Sequence, residues 1–247
     1  MGQDKNNKII LSFDLEFWYD TLFLEKYLPE VREDYLTESV LPVLDLLEKY
    51  KTKATFFTTG KVIEKYPEIV KKIYNQGHEI ASHGYSHQIL ERITPQKFEA
   101  ETEKTVELTE KLIGRKPKGF RAPCASLNEK TRWALPILSK FGFKYHSGRW
   151  AVANSSLIEI PVGFAGGVYF RFIPLYLFKK MLKIIKKKRI PVIYLHPHEL
   201  YKNTPVIKQA PWFKKFLKYY GVKNSLEKFE KLLKDFEFDS AENILKL

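Results

Sequence analysis

KATFFTTGKVIEKYPEIVKKIYNQGHEIASHGYSHQ, residues 53 to 88, sets a β-favouring run, a helical run and a second β-favouring run in succession. Residues 53 to 57 read as a strand closed by Thr58, Thr59 and Gly60. Residues 62 to 74 carry helical spacing, with Pro67 starting a second segment because its ring cannot continue the first. Residues 78 to 82 read as the next strand. Strands alternating with helices imply a parallel sheet or barrel, whose chemistry gathers at the carboxyl ends of the strands. At that end stand His83 and His87, four positions apart among Gly, Ser and Tyr. Two imidazoles so spaced can face one way from a helical turn or a tight loop, which suits a borderline cation such as zinc. Many H-x-x-x-H matches are packing or surface histidines, so a carboxylate has to complete the set.

Upstream, KIILSFDLEF (residues 8 to 17) is apolar and β-favouring until Asp14 and Glu16 interrupt it. Positions i and i+2 share a face of a strand, so the two acids project together, with Ser12 behind them. They read as functional groups or as caps of the next element. Residues 18 to 36 form a long loop or short helix. Thr37 is placed to cap a helix with apolar positions 40, 43, 44 and 47. Downstream, Thr94-Pro95 opens a helix that runs to Ile113 and stops at Gly114. GFRAP is a short strand ending in Arg121. Residues 131 to 140 are helical with a bend expected at Pro136, residues 143 to 147 and 158 to 162 are strands, and Ala165-Gly166-Gly167 is a loop. Residues 174 to 188 form a basic amphipathic helix, either touching an anionic membrane or presenting an outer lysine face on a barrel. PVIYL (191 to 195) is the last strong strand, ending in His196-Pro197-His198-Glu199. Two more helical runs and a polar tail follow. No repeat or linker divides the chain, so one domain is expected over 1–247, with a core over about 8–200 and a helical extension over 201–247.

The 247 residues are 44% hydrophobic and 15% aromatic, which excludes disorder. Lys and Arg outnumber Asp and Glu by 42 to 29, giving a net charge of +13 and attraction to anionic surfaces. No nucleic-acid-binding motif accompanies the charge. Cys124 is the single cysteine, which rules out an internal disulfide and fits a reducing compartment. No apolar run is long enough to span a bilayer and no leader is visible. A cytoplasmic protein, at most peripheral at the inner membrane face, is the expectation.

If the strand ends share one mouth, Asp14, Glu16, His83, His87, Arg121 and His196 make the parts of a metal hydrolase. Two histidines and a carboxylate leave open positions on a divalent ion. A second carboxylate can take a proton from water and an imidazole can protonate a departing amine. Arg121 either orients the base or forms a plain structural ion pair.

The 53–88 stretch resembles the core of the polysaccharide deacetylases, the NodB-homology group or carbohydrate esterase family 4. GFRAPCASLNEKT, GGVYFRFIP and VIYLHPHEL are similar to the branch encoded with exopolysaccharide genes, and the likeness runs from about residue 8 to 236. It implies an α/β fold, a distorted (β/α) barrel of the NodB-homology type, that removes the N-acetyl group from an amino sugar. It also implies Asp14 as general base, Glu16, His83 and His87 as ligands of one divalent metal (Zn2+, with Co2+, Ni2+ or Mn2+ as alternatives), Arg121 as the residue positioning the base, and His196 as general acid. Cys124 would offer its backbone N–H to the oxyanion. Most relatives carry adjacent aspartates where this chain has Asp14 and Glu16. Relatives commonly read Tyr-Asp-Ser where this chain has Tyr145-His146-Ser147, so an acidic partner expected near the site is missing. Tyr85 is expected at the substrate, and Trp18, Tyr19, Trp150 and Tyr169 either stack on sugar rings or pack the core. The implied partner is an N-acetylated sugar or glycan, lipid-linked if made inside the cell. A deformylase or small-amide hydrolase using the same residues, or an inactive glycan-binding homologue, are the alternatives.

Overall fold

The strand β1 (Ile9–Leu15) is buried along its whole length and paired on both sides, which is why its sequence stays apolar until its carboxyl end. In the computed structural model, which describes residues 8–30, 32–149, 155, 157–162 and 166–247, it leads into α1 (Leu36–Lys49), β2 (Thr55–Thr58), α2 (Gly60–Lys65), α3 (Pro67–Asn75) and β3 (Glu79–Ser82). Next come α4 (Pro95–Ile113), β4 (Gly119–Arg121), α5 (Ala134–Lys140), β5 (Tyr145–Gly148) and β6 (Ile158–Pro161). The chain continues through α6 (Gly167–Phe172), α7 (Leu175–Lys186), β7 (Val192–Leu195), α8 (Pro197–Leu200), α9 (Trp212–Tyr219), α10 (Val222–Asp235), β8 (Phe238–Asp239) and α11 (Ala241–Leu245). Seven strands lie in the order β6-β5-β4-β3-β2-β1-β7, and every pairing between them is parallel. A bridge from Gly166 to Tyr194 narrows the gap between the outermost two. The result is a nearly closed, distorted parallel barrel of the NodB type in a single domain.

Strand alternation divides the side chains into two cores. Leu11, Phe13, Phe56 and Ile193 face outward and pack under the helices, with Val40 and Leu44 of α1, Val70 of α3 and Phe229 and Leu232 of α10. Each fully buried side chain of this kind contributes about 2 kcal/mol. Ile10, Phe57, Tyr145, Ile160 and Val192 face inward and meet Ala241 and Ile244 of α11. The α11 helix lies across the amino ends of β2 and β3: Ala241 donates its N–H to Thr55 Oγ1 at 2.8 Å and Glu242 donates to Glu79 Oε2 at 3.0 Å. That base leaves the opposite, carboxyl-end mouth as the open one. No helix among the described residues is long and apolar enough to cross a membrane.

Several boundaries depart from the sequence reading for identifiable reasons. The first helix begins at Leu36 rather than after Thr37, because Asp34 Oδ1 accepts from the Leu36 N–H at 3.1 Å. Pro136 does not bend α5, since the helix starts at Ala134 and a proline in the first turn displaces no hydrogen bond; residues 129–131 form a separate 3-10 turn capped by Asn128. The expected polar tail is a strand and a capped helix, with β8 pairing parallel to β1. Of the expected loop at 165–167, Ala165 lies outside the described residues and Gly167 opens α6.

Candidate active site

The backbone of the histidine loop is fixed from below before its side chains do anything. The first two amides of α2 donate to it, Gly60 N–H to Gly84 O at 2.9 Å and Lys61 N–H to Tyr85 O at 3.1 Å. Ser86 donates its hydroxyl to Glu101 Oε1 of α4 at 2.7 Å. A Cβ at Gly60 would overlap the Tyr85 ring, so only glycine lets the loop sit this close. Gly84 and His87 both take positive φ, +76° and +57°, and these two reversals, rather than a helical turn, bring His87 back beside His83.

Around Glu16 the two imidazoles converge. Glu16 Oε2 lies 2.7 Å from His87 Nε2 and 3.3 Å from His83 Nε2, and one donor atom from each residue falls within 4.8 Å of the others. His83 Nδ1 is 2.7 Å from the carbonyl of Arg121. Only a protonated Nδ1 can bond there, so Nε2 presents its lone pair to the cluster. Two imidazole nitrogens and a carboxylate, with one tautomer fixed from behind, form a donor set that fits a divalent cation. Burial alone would raise the Glu16 carboxyl, but the charges of His87 and His196 and the hydrogen bond from His87 hold it well below its ordinary value. Burial would lower His87, and Glu16 raises it instead.

Asp14 stands beside this cluster and is locked on one side only. Its Oδ1 accepts from Arg121 Nη1 at 2.5 Å. The same guanidinium donates from Nη2 to Ser12 Oγ at 3.0 Å and to Ser147 Oγ at 2.9 Å, and it lies 4.0 Å over the Phe57 ring. A planar fork held at four points cannot rotate. The other oxygen, Oδ2, sits 4.0 Å from His83 Nε2 and 3.9 Å from His196 Nε2, facing the cleft.

His196 closes the set from the end of β7, and sequence reasoning left its partner out. Its Nδ1 is 2.9 Å from Glu199 Oε2, and Glu199 Oε1 accepts from Arg171 Nη2 at 3.1 Å. Burial would lower the imidazole, but Glu199, Glu16 and Asp14 push it up to about 9. An acid three residues after a histidine at a helix start was the available signal for Glu199. Arg171 lies in the GGVYFRFIP stretch, but no local pattern there assigns it a role. Asp20 was also missed; its Oδ2 accepts from Phe17 N–H at 3.1 Å, and burial raises its carboxyl.

These groups line one cleft of about 780 Å³ at the carboxyl ends of the strands, with Cys124 and Tyr169 on its wall. Cys124 and Ala125 hold φ of +54° and +53°, two consecutive left-handed residues in a turn where neither is glycine. Such strain, of order 1 kcal/mol or more each, persists where a fixed backbone direction matters. Tyr85 is not brought to the cleft. Its hydroxyl donates to Glu64 Oε2 at 2.7 Å and Lys104 Nζ lies 3.9 Å over its ring, because the loop is braced against α2 and α4 through this side chain. Trp18 is buried and donates Nε1–H to Glu33 O at 2.9 Å, and Tyr19 stacks on Phe17 at 5.1 Å; both pack rather than line a sugar site. Trp150 lies outside the described residues.

A family profile for polysaccharide deacetylases matches residues 4–146 of this chain. The chain belongs to the polysaccharide deacetylase family. A second profile, a domain of unknown function (DUF3473), matches residues 135–246. Among named relatives, the chain is similar to a peptidoglycan-N-acetylglucosamine deacetylase of Bacillus cereus, 40% identical over 93 residues, which is 37% of this chain and 34% of that protein. The chain spans about a third of the length of the curated relatives it matches. In three dimensions it superposes on a Mycobacterium smegmatis protein assigned as a polysaccharide deacetylase, with a TM-score of 0.68 at 20% identity over 100% of this chain and 91% of that one. A pseudoenzyme of carbohydrate esterase family 4 from Bacillus anthracis gives 0.58 at 15% identity over 98% and 66%. These two likenesses show the polysaccharide deacetylase fold alone. The profile boundaries divide the cleft: Asp14, Glu16, His83, His87, Arg121 and Cys124 fall within the polysaccharide deacetylase match, whereas Arg171, His196 and Glu199 fall beyond it.

Proposed function

We propose that this protein is a metal-dependent hydrolase that removes the N-acetyl group from an amino sugar in a glycan or glycan precursor. The observation that carries the reading is the placement of Asp14 Oδ2 between the donor set and His196, 4.0 Å from His83 Nε2 and 3.9 Å from His196 Nε2. A base, an acid and a cation-binding cluster within one cleft are the groups that amide hydrolysis uses. A glycan-binding protein that had lost catalysis would have no use for a base carboxylate locked on one oxygen and open on the other.

Glu16, His83 and His87 would hold the ion, expected to be zinc, which when bound supplies a Lewis acid for the acetamide carbonyl. Asp14 accepts a proton from the attacking water at Oδ2, while Arg121 keeps the carboxylate from turning. The turn at Cys124 offers backbone to the carbonyl oxygen as it gains charge. His196 gives its Nε2 proton to the sugar nitrogen as the C–N bond breaks, so amide and water become acetate and amine. Tyr169, at the cleft wall and 41% exposed, is placed to stack on a sugar ring. The resemblance to the exopolysaccharide-associated branch favours a substrate made for export, and a lipid-linked precursor at the inner membrane face fits the +13 charge.

The test is acetate release from N-acetylglucosamine oligomers by the purified chain. Release should disappear on chelation, return on adding zinc or cobalt, and fall by about a hundredfold or more in Asp14→Asn. Acetate release indifferent to chelator, or unchanged in that variant, would reject the reading.

A further inference from the structure

The family likeness places an acid near position 146, and this chain has histidine there. The structure shows why no side chain at that position could serve His196. On β5, Tyr145 packs into the barrel and Ser147 accepts from Arg121, so alternation turns residue 146 to the other face. His146 is fully buried there, and its Nε2 is 3.4 Å from Ser155 Oγ. A carboxylate at this site would look away from the cleft.

The chain provides a carboxylate from another direction. Glu199 lies on α8, one turn after His196, and its Oε2 is 2.9 Å from Nδ1. A glutamate at this position of a short helix often only caps the helix. Here the same oxygen is 3.4 Å from the His196 backbone N–H, longer than its contact with the imidazole, so the ring is the closer partner. Its second oxygen is held by Arg171 Nη2 at 3.1 Å, and Arg171 is itself anchored by Nη1 donating to Tyr220 O at 2.7 Å. Ser225 donates to the Glu199 carbonyl, 2.6 Å away. Arg171 and Glu199 are both buried and both reach the cleft wall. A carboxylate clamped on one oxygen has a single direction left for the other, and that direction is Nδ1.

We propose that Glu199, clamped by Arg171, is the positioning residue that holds the His196 ring with Nδ1–H bound behind it and Nε2–H aimed into the cleft. It fills the role left open at position 146. Arg171, His196 and Glu199 all lie in the segment matched by the domain of unknown function, so that segment supplies the proton-donating half of the site and residues 4–146 supply the base and the cation-binding half. The inference rests on the deacetylase reading above. Glu199 never touches substrate in this scheme: the sugar nitrogen takes its proton from Nε2, and the carboxylate supports the imidazolium before the transfer.

The test separates this role from general structural damage through the leaving group. An amine must be protonated to depart, whereas 4-nitrophenolate leaves without a proton. Full-length Glu199→Gln, with zinc content matched to wild type, should lose about a hundredfold or more in kcat on N-acetylglucosamine oligomers with KM changed less than about threefold, while hydrolysis of 4-nitrophenyl acetate changes less than about threefold. Equal losses on both substrates, or no loss on the sugar, would overturn the proposal. A second readout needs no substrate. Wild type should show a low-field imidazole proton resonance that is absent in His196→Asn and in Glu199→Gln. Its absence from wild type, or its persistence in Glu199→Gln, would also overturn it. Wild type that releases no acetate from any N-acetylated sugar defeats the deacetylase reading itself, which the resonance experiment tells apart from failure of the Glu199 assignment.

Discussion

Arg121 concentrates the rigidity of the site in one side chain, since it is 4% exposed and bonded to Asp14, Ser12 and Ser147 at once. Replacing it with methionine leaves Asp14 buried without its cation, and breaking such a pair costs about 3 to 5 kcal/mol. Urea unfolding of Arg121→Met should show that loss, and Arg121→Lys should recover only part of it because an ammonium cannot span three acceptors. Two histidines away from the candidate site contribute to the acid response. Burial lowers both His78 and His146 from 6.5 to about 4, so between those values the unfolded chain binds protons that the folded chain refuses. Stability is therefore full above about pH 6.5 and falls as pH drops toward 4, by about 2 kcal/mol per histidine at pH 5. His146→Leu should lessen that decline while changing stability little at pH 7, because among the described residues the imidazole Nδ1 has no hydrogen-bond partner and Nε2 has only the long 3.4 Å contact with Ser155 Oγ to lose. At this scale the sequence showed Asp14, Glu16, His83, His87, Arg121 and His196 as chemistry-bearing types at strand ends. It could not show Glu199 clamped by Arg171, because a contact across 28 positions leaves no local pattern.

Among the elements, α4 was legible at both ends because its stops are local. Thr94 Oγ1 accepts from Lys97 N–H at 3.2 Å and Gly114 takes φ +74°. Thr94→Ala should cost about 1 kcal/mol in thermal or urea unfolding. The start of α1 was misplaced by two residues because two polar side chains, Asp34 and Thr37, were available to cap it, and only the fold brought Asp34 Oδ1 to the Leu36 N–H. The two-residue β8 was invisible, since a strand that short carries no alternation to read. Gly166 shows an element whose importance is purely steric: a Cβ there would overlap the carbonyl oxygen and ring of Tyr194, at the bridge that draws β7 toward the start of α6. Gly166→Ala should displace α6 and with it Arg171, and calorimetry should record a Tm several degrees lower, corresponding to about 1 to 3 kcal/mol of overpacking.

Over the whole molecule, the parallel barrel followed from alternating strands and helices, while its closure and its base did not. Closure depends on Gly166 meeting Tyr194, and the base depends on the last residues folding back under the first strand. Removing residues 238–247 should expose Ile10, Phe57 and Tyr145 and strip Arg115 and Lys118 of their ion pairs with Glu242. The shortened chain should lose its cooperative thermal transition and accumulate in the insoluble fraction. The surface offers a contrast. On α9, Trp212, Phe213, Phe216 and Leu217 are exposed, and Lys214 and Lys218 turn back to the carbonyls of Phe23 and Trp18. Because no residue of α9 is buried, Trp212→Ser should move Tm by less than about 2 °C.

The join between β1 and β8 also bears on how the protein is made. Lys8 and Asp239 bond at 2.8 Å across 231 positions, so a ribosome adding 5 to 20 residues per second needs roughly ten to fifty seconds between delivering one partner and the other. Throughout that interval the nascent barrel lacks its floor, and the apolar lining beneath the strands is open to whatever meets it in the cell. Protection of the growing chain during that interval, rather than speed of helix formation, would then govern the yield of native protein.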